Sequence, residues 1–201
     1  MKIRAAATAA LTLTAILALS GCAAGADQDS MPGMDHGPST EAPAPADAGV
    51  NDADVMFASM MIVHHEQAIE MSDIVLAAEG ATPEVTALAA QIKEAQGPEI
   101  EQLEGWLDDW GVSPDDRDAT GMDHGDGMMS ADDLAALDAA EGAEASRLFL
   151  EQMIEHHEGA VDMAQAQVDD GSDPDAIDLA QSIIDAQTEE IQEMKDLLSA
   201  L

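Results

Sequence analysis

Apolar residues recur with a period near 3.6 in four segments of the chain, with polar residues between them. The first segment stops at Gly80, and the second and fourth begin at Thr82-Pro83 and Asp173-Pro174, each an N-cap residue followed by proline. No segment alternates well enough to be a strand. We therefore predict an all-α, antiparallel four-helix bundle built from two helical hairpins. The predicted helices span 54–79, 83–110, 130–169 and 174–201.

The two hairpins are related in sequence. The segment FASMMIVHHEQAIEM (57–71) is matched by FLEQMIEHHEGAVDM (149–163), with Phe, Met, His, His, Glu, Ala and Met at the same spacing. The helices that follow match as well, with the offset shorter by one residue. We interpret the chain as a tandem duplication, with repeat one over 52–110, a Met/His loop over 111–130 and repeat two over 131–201.

Polar residues interrupt the apolar stripes of these helices. At about 100° per residue, His64 and His156 point into the bundle, whereas the histidine after each lies on the flank of that face. The carboxylates of both His-His-Glu motifs point to solvent. Glu99 and Glu190 lie within the apolar stripes of the second helices, where a carboxylate needs a partner. An antiparallel register predicts that His64 faces Glu99 and that His156 faces Glu190.

Each half thus gathers paired imidazoles, thioethers and one carboxylate. Thioether with imidazole suits Cu(I), and imidazole with carboxylate suits Cu(II). The alternative is a structural hydrogen-bond network that fixes helix register. The candidate ligands in the first half are Met61, His64, His65, Met71 and Glu99. Those in the second half are Met153, His156, His157, Met163, Glu190 and Met194.

Two Gly-rich segments outside the predicted helices share the tetrapeptide Met-Asp-His-Gly, at 34–37 and 122–125. Core packing does not explain methionines in exposed segments, so we interpret these as loops that capture copper or silver. Low-complexity drift in a linker is the alternative. The auxiliary metal residues are Met31, Met34, His36, Met122, His124, Met128 and Met129.

The N-terminal segment has the features of a secretory signal sequence. Residues 1–21 combine Lys2 and Arg4 with a short apolar run and end in Leu-Ser-Gly, directly before Cys22. This arrangement resembles the lipobox of bacterial lipoproteins, in which Cys22 is lipidated. An ordinary signal peptide is the alternative. Residues 22–50 are then a flexible tether and 51–201 the bundle, so we expect an extracytoplasmic protein held to the membrane by an N-terminal lipid.

Composition narrows the function classes. The formal net charge is −36, with 42 acidic residues against 6 basic ones, which disfavours nucleic-acid binding. The single cysteine excludes an internal disulfide. No nucleophile–base arrangement and no phosphate-binding loop is visible, so hydrolase and kinase activities have no support.

The most specific stretches are FLEQMIEHHEGAVDMA and LAQSIIDAQTEEIQEM. They resemble the F-x3-M-x2-HH-x2-A-x2-M and A-x2-I-x3-Q-x2-EI-x2-M pattern of the domain of unknown function 305 family. The resemblance covers about 52–110 and 146–201. It implies a ferritin-like four-helix bundle and, for some members, copper binding and resistance outside the cytoplasm. Besides the candidate ligands above, the pattern carries over to Phe57, Gln96, Phe149 and Gln187. Leu103 departs from it, because the pattern expects methionine there, so we expect the second half to hold the stronger site.

The leading hypothesis is therefore a copper-binding protein without enzymatic activity, with a copper pump or oxidase as the class of protein partner. A di-iron ferritin-like or hemerythrin-like oxidoreductase is the second hypothesis. A di-iron carboxylate site requires a Glu-x-x-His motif on each of two helices. Neither His pair of this chain has a glutamate three residues before it. The third is a structural or partner-binding bundle that binds no metal.

Overall fold

The computed structural model describes residues 49–113 and 127–201. These residues form five α-helices and no strand, which confirms the predicted all-α bundle. The signal peptide, Cys22, nearly all of the tether and the two Met-Asp-His-Gly segments lie outside the described residues. The helices are α1 (Asp52–Ala77), α2 (Pro83–Asp109), α3 (Ala131–Asp138), α4 (Gly142–Asp170) and α5 (Pro174–Ala200).

The single helix predicted over 130–169 is wrong, because the chain breaks between α3 and α4. Ser130 does cap a helix there, its hydroxyl accepting from the backbone N–H of Asp133. That helix ends after eight residues. Gly142 then adopts a φ of 60°, a value that suits glycine. Its N–H donates to the carbonyl of Glu79 at 2.8 Å, which joins the start of α4 to the α1–α2 turn.

The four long helices pack as two hairpins around a central pair. Helix α1 packs against α2, and α4 packs against α5. The central contact is between α1 and α4, and the short α3 lies on both of them. Within the described residues, no helix is both long and apolar enough to cross a membrane.

A polar layer divides the core at the middle of every long helix. On one side lies a methionine-rich cluster, which contains Met71, Met129, Met153 and Met194 among larger aliphatic residues. On the other side lies an alanine-rich cluster. Its members are Phe57, Ala58, Met61, Leu103, Leu107, Ala160, Ala164, Ala180 and Ile183. The small residues of α1 and α4 allow these two helices to approach closely.

The first helical turn of each hairpin is hydrogen-bonded to the loop that connects the two helices of the other hairpin. Asp54 of α1 is fully buried and accepts hydrogen bonds from Gln167 Nε2 (2.6 Å), Ser172 N (3.0 Å) and Asp173 N (3.1 Å). Burial alone would raise the pKa of Asp54, but these bonds and one from the Asn51 backbone outweigh it and lower the pKa. Asp54 is thus a structural carboxylate, and sequence reasoning missed it.

The matching position in the other half carries a hydroxyl. Ser146 of α4 is fully buried, and its Oγ accepts from the backbone N–H of Thr82 at 2.8 Å. Equivalent contacts therefore tie α1 to the α4–α5 turn and α4 to the α1–α2 turn, which keeps the two central helices in register.

Candidate metal centre

Four histidines occupy the centre of the polar layer. His64 and His156 are each 1% exposed, and His65 and His157 are fully buried. The rings of His64 and His156 lie with their centroids 3.7 Å apart at an interplanar angle of 40°. The two motifs therefore meet at the α1–α4 contact, so that their histidines form one cluster instead of two separate ones.

The carboxylates of the layer bind the second histidine of each pair. His65 Nε2 lies 2.8 Å from Glu99 Oε2, and His157 Nε2 lies 2.8 Å from Glu190 Oε2. The predicted pairing of His64 with Glu99 and of His156 with Glu190 is wrong by one residue. The inner rings are engaged across α1 and α4, so the next residue along each helix is the one that faces α2 or α5.

These ion-pair contacts determine which ring nitrogen is free. A carboxylate only accepts, so Nε2 carries the proton in His65 and in His157. In the neutral ring the lone pair is then on Nδ1, which is buried and finds no hydrogen-bond partner among the described residues. A metal-binding histidine commonly donates its other N–H to a carboxylate, which orients the ring. The geometry thus favours an orienting role for Glu99 and Glu190.

Burial keeps the inner histidines uncharged. It lowers the pKa of His64 to about 3, and the charges of nearby His65 and His157 add to the effect. Burial likewise lowers the pKa of His156 far below its usual range, with His64 as the next contributor. Neutral imidazole is the form that binds metal ions. Nε2 of His64 and both ring nitrogens of His156 lack hydrogen-bond partners within the described residues, a costly arrangement for buried polar atoms.

Thioethers flank the histidines. Met61 and Met153 are fully buried one turn before each His pair, where i,i+3 and i,i+4 neighbours share a face. Met194 is fully buried one turn after Glu190, and Leu103 is fully buried at the equivalent position after Glu99. The second half therefore offers two thioethers to the layer and the first half offers one.

The layer contains nitrogen, oxygen and sulfur donors. Within residues 49–113 and 127–201, no three His, Cys, Asp or Glu side chains are arranged to hold one metal ion. Buried Met sulfurs lie one turn from both His pairs along the helices, so imidazole and thioether occur together in the layer. That donor set is typical of soft ions.

The model of the family described as a domain of unknown function (DUF305) matches residues 54–198. The chain belongs to the DUF305 family. A comparison with curated proteins gave no match.

Solved structures show the same fold. A DUF305 protein of Streptomyces coelicolor, named a candidate secreted protein, is 36% identical with a TM-score of 0.66, covering 74% of this chain and 93% of its own. A DUF305 fragment from Deinococcus radiodurans is 30% identical with a TM-score of 0.64, covering 76% and 99%. CopM in its Cu(I)-bound form is 32% identical with a TM-score of 0.60, covering 73% and 96%. CopM has also been solved with Cu(II) and with silver.

Two candidate ligands of this DUF305 chain lie away from the layer. Met71 and Met163 each follow the inner histidine by seven residues, about 10 Å along a helix. Met71 is buried in the methionine-rich cluster. Met163 is half-buried and lines a groove at the surface. The structure therefore does not bring either residue next to His64 or His156.

The end of the Met/His loop is part of the bundle. Met129 is 8% exposed and belongs to the methionine-rich cluster, so its assignment to an exposed loop is wrong. The side chain of Gln67 donates to the Met129 carbonyl (2.9 Å) and accepts from its N–H (2.7 Å). Met128 beside it is half-buried. A sequence signal existed, because Met129 precedes the cap Ser130 and Leu134 follows at the position of a hydrophobic staple.

Proposed function

We propose that this DUF305 protein binds copper, as Cu(I) or Cu(II), at the layer formed by its two His-His-Glu motifs, and sequesters or delivers it. One observation carries the proposal: four buried histidines form one cluster in which five ring nitrogens lack a hydrogen-bond partner among the described residues. A purely structural network would satisfy these atoms, since buried polar groups are almost always hydrogen-bonded.

The residues divide the work as follows. His64 and His156 offer neutral nitrogens, and Nδ1 of His65 and His157 is held ready by the carboxylate on the opposite side of each ring. Sulfur would come from the methionines one turn away on the same faces. Copper is cargo in this proposal, so the chain exchanges ligands and makes or breaks no covalent bond. We propose no enzymatic activity.

The relatives support the same metal. CopM structures contain Cu(I), Cu(II) or silver, and CopM shares the bundle at about one-third identity. Iron is the weaker choice. A di-iron carboxylate bundle needs several inward-facing carboxylates, whereas Glu66 and Glu158 of the His-His-Glu motifs are exposed, as predicted from the helical geometry.

The setting follows from the N-terminus. We propose that residues 1–21 are removed and that Cys22 is lipidated, so that the copper site stands outside the cytoplasm on a membrane anchor. A copper pump or a copper-dependent oxidase would supply or receive the ion. The excess of carboxylates concentrates cations near such a surface.

The test is a competitive Cu(I) titration of the full chain against a chromophoric chelator. The variant Met153→Leu/His156→Leu/Met194→Leu keeps the layer apolar and removes one imidazole and two thioethers. We expect its affinity for the layer to fall by about a hundredfold or more, the scale seen when metal-site residues are lost. Circular dichroism checks that the variant still folds.

Two carboxylate variants form the matched control. Glu158→Gln changes the exposed carboxylate within the motif, and Glu190→Gln changes the one bonded to His157. We expect only Glu190→Gln to weaken Cu(I) binding. Unchanged affinity and stoichiometry in the folded triple variant would refute the layer as the copper site.

A further inference from the structure

A groove separates the start of α1 from the end of α4 at the surface. Its volume is about 360 Å³, and its walls are mostly apolar. Three methionines line it: Met56 and Met60 from α1, and Met163 from α4. It lies on the side of the alanine-rich cluster, away from Met153 and Met194. We propose that this groove is a second metal site, in which the three thioethers bind a soft monovalent cation, Cu(I) or Ag(I).

The register of the two helices places Met163 between Met56 and Met60 along the helix axis. Met56 and Met60 are four residues apart, so their side chains are neighbours on α1. Helix α4 runs antiparallel to α1 with His156 against His64. That register puts Met163 level with Phe57, between the two methionines of α1. Three thioethers from two helices thus converge on one opening.

The thioethers of the groove are accessible to solvent, although Met163 also packs against the alanine-rich cluster. Met56 is 42% exposed, which makes it one of the large apolar residues that the described structure leaves in solvent. Met60 and Met163 are half-buried in the same groove. A flexible thioether that is accessible to solvent is well suited to capture a soft ion.

The polar residues of the groove favour a cation. Asp162 and Asp170 line its edge, and both are exposed. Gln167 also lines it and is 1% exposed. Its Nε2 donates to Asp54, so the amide orientation is set, and its Oε1 finds no hydrogen-bond partner among the described residues. The carboxylates at the edge of the groove thus favour a cation over an anion.

The groove lies close to the polar layer along α1. Met60 lies one turn before His64, about 6 Å along α1. A cation held in the groove would then be one helical turn from the layer.

The experiment uses the full chain labelled with ¹³C at the methionine ε-methyl groups and titrated with Ag(I), which undergoes no redox change. We expect the resonances of Met56, Met60 and Met163 to shift together. The variant Met56→Leu/Met60→Leu/Met163→Leu keeps the apolar volume and should bind about one Ag(I) fewer per chain.

Two controls keep the groove separate from the layer. Phe57→Leu alters a groove residue that has no sulfur and should retain the ion. His64→Leu/His156→Leu disables the proposed copper layer and should leave the three methyl shifts intact, so either proposal can fail alone. If the triple variant does not fold, Met56→Leu on the exposed residue should still weaken Ag(I) binding by about tenfold. Methyl resonances that stay fixed at saturating Ag(I), or an equal loss in Phe57→Leu, would overturn the site.

Discussion

Acidification should destabilise the metal-free protein through its two inner histidines. Burial lowers the pKa of His64 from 6.5 to about 3 and lowers that of His156 in the same direction. The folded state therefore binds fewer protons than the unfolded state wherever the unfolded rings are protonated. The two uncharged histidines contribute their full stabilisation above about pH 6.5, the pKa of histidine in the unfolded chain. This contribution to the free energy of unfolding is lost as the pH falls below that value.

The size of the effect follows from the two pKa values. Between about pH 7.5 and about pH 5, a ring with an unfolded pKa of 6.5 and a folded pKa of about 3 costs about 2 kcal/mol of unfolding free energy. His156, shifted in the same direction, adds a similar amount, so the expected loss is about 4 kcal/mol. A domain has only about 5–15 kcal/mol in total.

The assay is urea denaturation at both pH values in the presence of a chelator. His64→Leu/His156→Leu is the reference, because it lacks both titrating rings while the acidic residues, whose repulsion weakens in acid, stay the same. We expect the wild type to lose about 4 kcal/mol more than this reference. Equal losses would refute the view that the inner histidines are buried and uncharged.

Three further outcomes are expected. In urea denaturation, Asp54→Ala should lower the free energy of unfolding by about 3 kcal/mol and Ser146→Ala by about 1 kcal/mol. The Asp54 carboxylate accepts from more donors than the Ser146 hydroxyl does. Equal losses would contradict this ranking. Leu103→Met should change stability by less than about 1 kcal/mol but strengthen Ag(I) binding in a competitive titration, while Met194→Leu weakens it; affinities that do not move would disprove a role for these sulfurs. Gly127→Ala should destabilise the protein by about 2 kcal/mol and so lower Tm by several degrees. Gly127 has a φ of 96°, and the added Cβ would lie 2.6 Å from the carbonyl oxygen of Glu155 in α4. An unchanged Tm would contradict this close packing.

Single-helix patterns predicted much of the fold. The apolar period and the cap-and-proline pairs placed α2 and α5 to within a residue at their starts. The break before Gly142 was missed because apolar residues continue on both sides of it. The apolar period indicates which face of a helix is buried. It does not reveal a short break in the helix when the same face is buried on both sides of the break.

The candidate site was predicted only as a set of residues. Projection of one helix separates an inner His64 from a flanking His65, yet both are buried, because α1 packs against α2 on one side and α4 on another. How two hairpins dock is a property of the assembled core, so the contact between His64 and His156 had no counterpart in the spacing. Met129 shows the same limit in reverse, since a Gly-rich sequence concealed a docked side chain.

The contact between His64 and His156 joins equivalent positions of the two halves, which is the pairing found in an isologous dimer interface. A single hairpin would have to find a second copy to build this layer, and its occupancy would vary with protein concentration. Because one chain carries both halves, the contact forms at a fixed effective concentration. Covalent linkage also releases the halves from symmetry. The first half has Leu103 at the position where the second half has Met194. Two identical chains in a homodimer could not differ in this way.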